Sequence, residues 1–291
     1  MATNVFSINA LEKSFGAKNV LQQCNLELHP GEIVGILGPN GCGKTTLMKI
    51  ILGFLKSDNG YIEWSEQDFC PQKHAVGIIE APAFYSELSA MDNLLYFIPD
   101  LSLERLNKYA GAFGLLNDMH RKVGQFSYGM KQKLALIYIM LHNRDVLILD
   151  EPTNGLDIDS KRVFIELIKE ITKSENKYVL VSSHDMYEMD KLCDSVYFLM
   201  DGITSQKVVV ATLSEPDTYL VEFVDSQACE KFILTTSIIY EKVQSSDRHL
   251  KINNIKEPSS LIKELASYGI IEVKKERKTL ADLYNDLRRT I

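Results

Sequence analysis

Cysteine is scarce in this chain and poorly placed for bridging. Five occur in 291 residues, at positions 24, 42, 70, 193 and 229, and they form neither a Cys-x-x-Cys pair nor a zinc-ligand spacing. An odd set of isolated thiols fits a reducing cytosol and argues against a disulfide scaffold or a zinc module. Long apolar runs are also missing. The longest, around Leu134–Leu141, has a lysine just upstream and falls well short of the roughly 18 to 20 residues that span a bilayer. Met1-Ala2-Thr3-Asn4 lacks the charged-then-apolar pattern of a secretion signal. The chain is therefore expected to be soluble by itself and to reach a membrane only through a partner. An excess of positive charge is absent too. With a formal net charge of −7 and a pI of about 5.5, no basic stripe marks a dedicated nucleic-acid binder. The one basic string, Lys274-Lys275-Glu276-Arg277-Lys278, is interrupted by a glutamate and reads as a solvated face.

What the chain does have is concentrated in Gly38-Pro39-Asn40-Gly41-Cys42-Gly43-Lys44-Thr45-Thr46, which matches G-x-x-x-x-G-K-[ST] at every fixed position. A short apolar run, Glu32 to Leu37, precedes it and reads as a buried strand. Leu47 to Leu52 follows and reads as a helix. Strand, glycine turn and helix start are the context the motif requires. Glycines let successive N–H groups converge on a phosphate at the positive end of the helix dipole. Lys44 adds a full charge for the β- and γ-phosphates, and the Thr45 hydroxyl is suited to Mg²⁺. A nucleoside triphosphate site follows.

The rest of the chain supplies complementary pieces. Val5–Leu11 and Val20–Leu28 read as a small antiparallel sheet feeding the phosphate-loop strand, with Phe15 before Gly16 at the first turn, where it could simply cap a hairpin. An irregular segment leads to the strand at Ala75–Ile79. After the break at residues 81–85, residues 88 to 123 take on helical periodicity. Phe126-Ser127-Tyr128-Gly129-Met130 opens a long helix, Lys131 to about His142, and places Ser127 and Gly129 where a helix N-terminus offers free N–H groups. Val146-Leu147-Ile148-Leu149 ends in Asp150 and Glu151 and reads as a central parallel strand, whose C-terminal end is where α/β folds put ligands. Asp150 can orient a magnesium-bound water, and Glu151 is suited to position the attacking water. Tyr178 to Ser183 repeats the device and exits at His184, expected at the γ-phosphate. The other five histidines read as structural or surface. Val196–Met200 and Thr204–Val210 are expected to close the core around the turn Asp201-Gly202.

In this order, these motifs resemble the ATP-binding subunit of ABC transporters over residues 4 to about 210. The resemblance implies that Phe15 stacks on adenine, where tyrosine is usual, and that Asn40, Gly41, Cys42, Gly43, Lys44, Thr45 and Thr46 form the phosphate loop. Phe126 to Met130 match the signature loop, with Ser127 and Gly129 retained but Tyr128 and Met130 replacing glycine and glutamine. Asp150 and Glu151 match the second nucleotide motif and its base, Asn154-Gly155-Leu156-Asp157 the D-loop, and His184 the switch histidine. Glu80 stands where the family generally has a glutamine that senses magnesium; a carboxylate there can also ligate the metal. The resemblance further implies a dimer in which each signature loop covers the other subunit's γ-phosphate, a homologous or identical partner subunit, and an integral-membrane permease on the inner face of the cell membrane. The string Ile79 to Tyr85, followed by Leu88 to Leu94, looks like ATPases of exporters that protect bacteria against lantibiotics and bacitracin.

Residues 211 to 291 read as strand, helix, strand, strand, helix, strand and a final helix, the split β-α-β order of a ferredoxin-like unit. The fold class expected is thus α/β: a P-loop NTPase core of ABC type over residues 1–210, with an antiparallel β subdomain and a helical subdomain at about 88–142, then a small α+β domain over 211–291. The expected function is an ATPase that uses ATP and Mg²⁺ to drive export of peptide antibiotics or other amphipathic compounds. A soluble ABC ATPase without a permease, or a nucleotide sensor that does not hydrolyse, are the rival readings.

Overall fold

The computed structural model describes residues 5–64, 69–80, 83–213, 219–236, 238, 240–243, 246–252, 258–275 and 279–290. They form two compact units, Met1–Val209 and Val210–Ile291.

The first unit starts as a hairpin of β1 (Phe6–Phe15) and β2 (Lys18–Leu28). Phe6, Ile8, Leu11, Leu21, Leu26 and Leu28 turn inward, the period-two pattern of a sheet covered on one face. Strand β3 (Glu32–Leu37) leads into α1 (Lys44–Ile51), and β4 (Asn59–Trp64) returns to β1. The result is a three-stranded antiparallel sheet in the order β2-β1-β4. Before β5 (Ala75–Ile78), where the sequence reads as irregular, Pro71–His74 makes one helical turn, α2. Proline starts it within its first positions, and His74 Nδ1 accepts the Cys70 N–H at 3.1 Å.

Three helices follow: α3 (Ala90–Phe97), α4 (Leu103–Ala112) and α5 (Tyr128–Leu141). Each begins on a serine whose hydroxyl accepts the amide three residues on: Ser89 from Asp92, Ser102 from Arg105, Ser127 from Met130. Such a cap contributes about 1 kcal/mol. The ring of Phe97 meets those of Phe84, Tyr85 and Tyr138, which holds α3 against α5. Helix α5 begins at Tyr128 with Ser127 as its cap, the helix N-terminus at which the sequence places that serine.

The chain then alternates β6 (Val146–Asp150), α6 (Ile158–Ser174), β7 (Tyr178–Ser183), α7 (Met186–Leu192) and β8 (Ser195–Met200). Strands β6 and β7 are wholly buried, as continuous apolar runs must be with helices on both sheet faces. Beyond Met200 the sequence predicts one strand over 204–210, and this expectation is corrected. Two short strands form instead, β9 (Ile203–Thr204) and β10 (Val208–Val209), both antiparallel to β8. Ser205 breaks the run: its hydroxyl accepts the Phe198 N–H at 2.9 Å while its own N–H donates to the Phe198 carbonyl at 2.8 Å. A side chain thus takes a bond that a continuing ladder would have made. The seven-stranded sheet has the order β10-β8-β3-β7-β6-β5, with β9 beside β8, and strands β8, β3, β7, β6 and β5 run parallel.

In the second unit, α8 (Val210–Leu213) precedes β11 (Tyr219–Phe223), α9 (Ser226–Thr235), β12 (Tyr240–Lys242), β13 (His249–Ile252), α10 (Pro258–Leu265), β14 (Ile270–Lys275) and α11 (Leu280–Thr290). The four strands form an antiparallel sheet ordered β12-β13-β11-β14. Val221, Phe223, Phe232, Leu250, Ile252 and Leu265 make its core. Parts of the sequence readings lie outside the described residues: Met1 to Asn4, residues 65–68 in the irregular segment, Ala81 and Pro82 in the break before the helices, Ser237 and Ile239 next to β12 in the chain, and Glu276-Arg277-Lys278 in the basic string.

One partly buried histidine should make stability depend on pH. His142, at the C-terminal end of α5, has its Nε2 buried without a hydrogen-bond partner among the described residues. Burial first, then Arg144 and Lys177, push its pKa down from 6.5 to about 4. The unfolded chain therefore takes the proton more readily. This contribution to stability is fully present above the unfolded value of 6.5 and is lost as pH falls toward 4. Discounted for the ring's partial exposure, the loss is about 2 kcal/mol. Urea titrations at neutral and acid pH should show it, and His142→Phe should shrink the difference between the two; an unchanged difference would reject this origin.

Candidate functional site

The parallel sheet brings three strand exits to one edge. Strand β7 lies between β3 and β6, with Ile36 paired to Ser182 and Asp150 paired to the same Ser182. The phosphate loop leaves β3, Asp150 and Glu151 end β6, and His184 follows β7. Glycine is required at position 43: its φ is +114°, and a Cβ there would come within 2.8 Å of Leu21 Cδ2 and 2.9 Å of the Val20 carbonyl. That turn points the first amides of α1 into a cleft of about 570 Å³, which has Phe15, Lys44, Thr45, Glu80, Asp150 and Glu151 in its wall. Asn40, Gly41, Gly43 and Thr46 complete the loop side.

The polar groups are held tightly. Lys44 is buried, and its ammonium donates to the carbonyls of Gly38 at 2.8 Å and Pro39 at 3.1 Å. Two of its three donors thus brace the loop, and the third is left over. The Thr45 hydroxyl donates to Asp150 Oδ2 at 2.7 Å, while Ser182 Oγ donates to Asp150 Oδ1. Glu151 takes a left-handed φ of +49°, which costs a non-glycine residue about 1 kcal/mol or more. Its N–H is bound by Ser182 through both the carbonyl, at 3.2 Å, and the hydroxyl, at 3.0 Å. Its carboxylate meets His184 Nδ1 at 2.8 Å. A carboxylate only accepts, so Nδ1–H is the donor and Nε2 faces other duties. Glu80, also at positive φ (+63°), lines the cleft with its carboxylate held by Lys49 at 2.7 Å. Phe15 ends β1 half-exposed at the rim, with the Lys13 ammonium 5.5 Å from its ring centre.

Cys42, Ser127, Gly129, Asp157 and His184 do not appear in the cleft wall. Burial raises the Cys42 thiol pKa against the pull of Lys44. Ser127 caps α5, and Gly129 approaches Gly155, whose carbonyl would lie 2.9 Å from an added Cβ. Asp157 caps α6 by accepting the Ser160 N–H at 2.8 Å and pairs with Lys133 at 3.0 Å. Those bonds, the Ser160 N–H first, hold its pKa well below the usual carboxylate range. Asn154 of the D-loop match lines the cleft, as do Lys18 and Val20, which the sequence does not mark, while Ser182, which anchors both acids, has no single-residue signature. Ser182 follows four apolar residues in β7, and only its register against Asp150 reveals its task.

Thr45 Oγ1 and Asp150 Oδ2, a hydroxyl and a carboxylate oxygen 2.7 Å apart, are hard oxygen donors of the kind a magnesium ion would take. No cluster of three His, Cys, Asp or Glu among the described residues could hold a metal alone.

Two family models match the chain. The family model described as "ABC transporter" matches residues 21–154. A second, described as an AAA domain, putative AbiEii toxin, matches residues 120–190. The uncharacterized ABC transporter ATP-binding protein YdbJ of Bacillus subtilis is 40% identical over 210 residues, 69% of this chain and 68% of the relative. Lantibiotic transport ATP-binding protein SrtF of Streptococcus pyogenes is 36% identical over 68% of this chain and 88% of its own length. Bacitracin transport ATP-binding protein BcrA of Bacillus licheniformis is 32% identical over 76% and 75%. The solved "Structure of ATP binding subunit of ABC transporter" superposes with a TM-score of 0.65 at 26% identity, covering 72% of this chain and 91% of that one. The protein is an ATPase that binds ATP and works with a membrane permease, and its fold is the P-loop core of such enzymes. With relatives this similar over two thirds or more of their length, the chain belongs to the ATP-binding subunits of ABC transporters.

Proposed function

We propose that this subunit powers the export of peptide antibiotics or other amphipathic compounds. The observation that carries its chemistry is the meeting of Lys44, Thr45, Asp150, Glu151 and His184 at one sheet edge, tied by the 2.7 Å Thr45–Asp150 and 2.8 Å Glu151–His184 contacts. In this reading Lys44 and the loop amides of Asn40 to Thr46 hold the triphosphate. Thr45 and Asp150 hold Mg²⁺, which when bound neutralises phosphate charge, and Glu80 is a further candidate ligand if it leaves Lys49. Glu151 orients the attacking water, and His184 steadies the γ-phosphate. Ser127 and Gly129, at a capped helix start, together with Asp157, are available to a second subunit. One subunit leaves the phosphate half wet, so a dimer that closes over it supplies donors and excludes water.

The chain is read as a nucleotide-binding domain over residues 1–210 and an accessory domain over 211–291. The β12-β13-β11-β14 order supports a ferredoxin-like reading of the latter. Among the described residues no helix is long and apolar enough to cross a membrane. In this reading the subunit sits at the inner face of the membrane against its permease. The relatives named for lantibiotic and bacitracin transport support the cargo class. Expressing the chain with its permease in an antibiotic-sensitive bacterium should raise tolerance to bacitracin or a lantibiotic, and Glu151→Gln should abolish the gain. Tolerance that never rises would reject the cargo.

Phe15 has a separate test. Base-on-ring stacking is worth about 1–3 kcal/mol, so Phe15→Ala should weaken ATP binding roughly 5- to 150-fold. Binding of inorganic tripolyphosphate, which has no base, should not change. Equal weakening of both ligands would remove Phe15 from the adenine site.

A further inference from the structure

Gln132, on the second turn of α5, is 1% exposed, yet its side-chain carbonyl Oε1 has no hydrogen-bond partner among the described residues. A buried, unpaired polar atom costs stability, and an apolar side chain of the same size would avoid that cost. The amide makes one bond, from Nε2 to the carbonyl of Pro152 at 2.8 Å. Pro152 follows Glu151 directly. Because proline has no N–H, its carbonyl is the first hydrogen-bonding backbone group beyond Glu151's own. The turn it anchors includes the left-handed Glu151 and is closed by the Asn154 N–H on the Glu151 carbonyl at 3.2 Å.

We propose that Gln132 is a positioning residue for hydrolysis, fixing from the signature helix the backbone turn that aims Glu151. The assignment rests on Glu151 acting as the base. Ser182 grips that turn on its N-terminal side, and Gln132 grips it on the other. The same helix touches the segment again where the Tyr128 ring packs on Gly155: a Cβ there would lie 2.4 Å from Tyr128 Cε1. A movement of α5, whose capped start faces a second subunit in the proposed dimer, is thereby passed to the base through a buried side chain.

The test uses Gln132→Met and Gln132→Asn in the full chain. Methionine keeps the volume without the donor, and asparagine keeps the amide but is too short to reach. Removing the orphan oxygen offsets freeing the Pro152 carbonyl, so methionine should melt close to the parent. Its kcat should fall about 10- to 100-fold, the penalty of a misplaced catalytic group. The KM for ATP, and ATP affinity measured by calorimetry in EDTA, should stay within about two-fold, because the phosphate loop is untouched. Adding Gln132→Met to Glu151→Gln should cause no further loss, since the two residues act as one unit. A parent-like kcat in a folded Gln132 variant, a loss that multiplies with that of Glu151→Gln, or unfolding of both variants would overturn the proposal. If Glu151→Gln alone hydrolyses at the parent rate, the base assignment fails instead, and the single variants tell these failures apart.

Discussion

Glu151→Gln is expected to bind ATP as the parent does and to release phosphate about 10²- to 10⁴-fold more slowly, the usual worth of a general base. The substitution is nearly isosteric. A glutamine oxygen can still accept the His184 Nδ1–H that the carboxylate accepts at 2.8 Å. The backbone here is held by the bonds to Ser182 and, at Pro152, to Gln132, and not by the Glu151 side chain, so the turn should survive. What disappears is the negative charge that orients and deprotonates water. A phosphate-release assay at saturating Mg·ATP, paired with a nucleotide titration, separates the two effects. Turnover at the parent rate would show that another group holds the water.

Lys44→Ala should have the second largest effect, lowering ATP affinity on the order of 10²-fold and leaving no measurable hydrolysis. The ammonium is buried, and a charge-assisted hydrogen bond is worth roughly 1.5–3 kcal/mol. Removing it also releases the carbonyls of Gly38 and Pro39, which the lysine braces at 2.8 and 3.1 Å. Both consequences weaken the phosphate cradle. Lys44→Arg should not restore it, because a planar fork cannot replace a compact ammonium inside a loop this tight. Calorimetric titration with ATP reads the change directly, and parent-like affinity in the alanine variant would place the triphosphate elsewhere.

The parts of this architecture that could be read from the chain are those where local composition and chemistry coincide. Strands β3, β6 and β7 are short apolar runs that end in a glycine loop, paired acids and a histidine, so element and role were visible together. Strands β11 and β13 and helix α9 were legible for a related reason: each carries its own alternation or cap, such as Asp225 accepting the Ala228 N–H. Interactions between distant residues were not legible. Ser182 and Gln132 act across 31 and 20 residues respectively, and nothing in their immediate neighbours marks either one. The split between β9 and β10 was hidden for a comparable reason, since the Ser205 hydroxyl competes with the backbone for Phe198. Glu80 stood out as a departure from a familiar pattern, but its ion pair with Lys49 had to be seen in three dimensions.

The place of β3 in its sheet also governs when during synthesis the site can exist. Its partners are β7 and β8, and Val34 pairs with Leu180 on one side and Ser195 on the other. A growing chain exposes the glycine loop early but cannot flank it until about 160 further residues have left the ribosome. Until then the loop's strand is an open edge, the kind of surface that nascent chains must keep from pairing wrongly. Every residue of the cleft wall lies before β7, so the wall leaves the ribosome ahead of the two strands that hold its loop in the sheet.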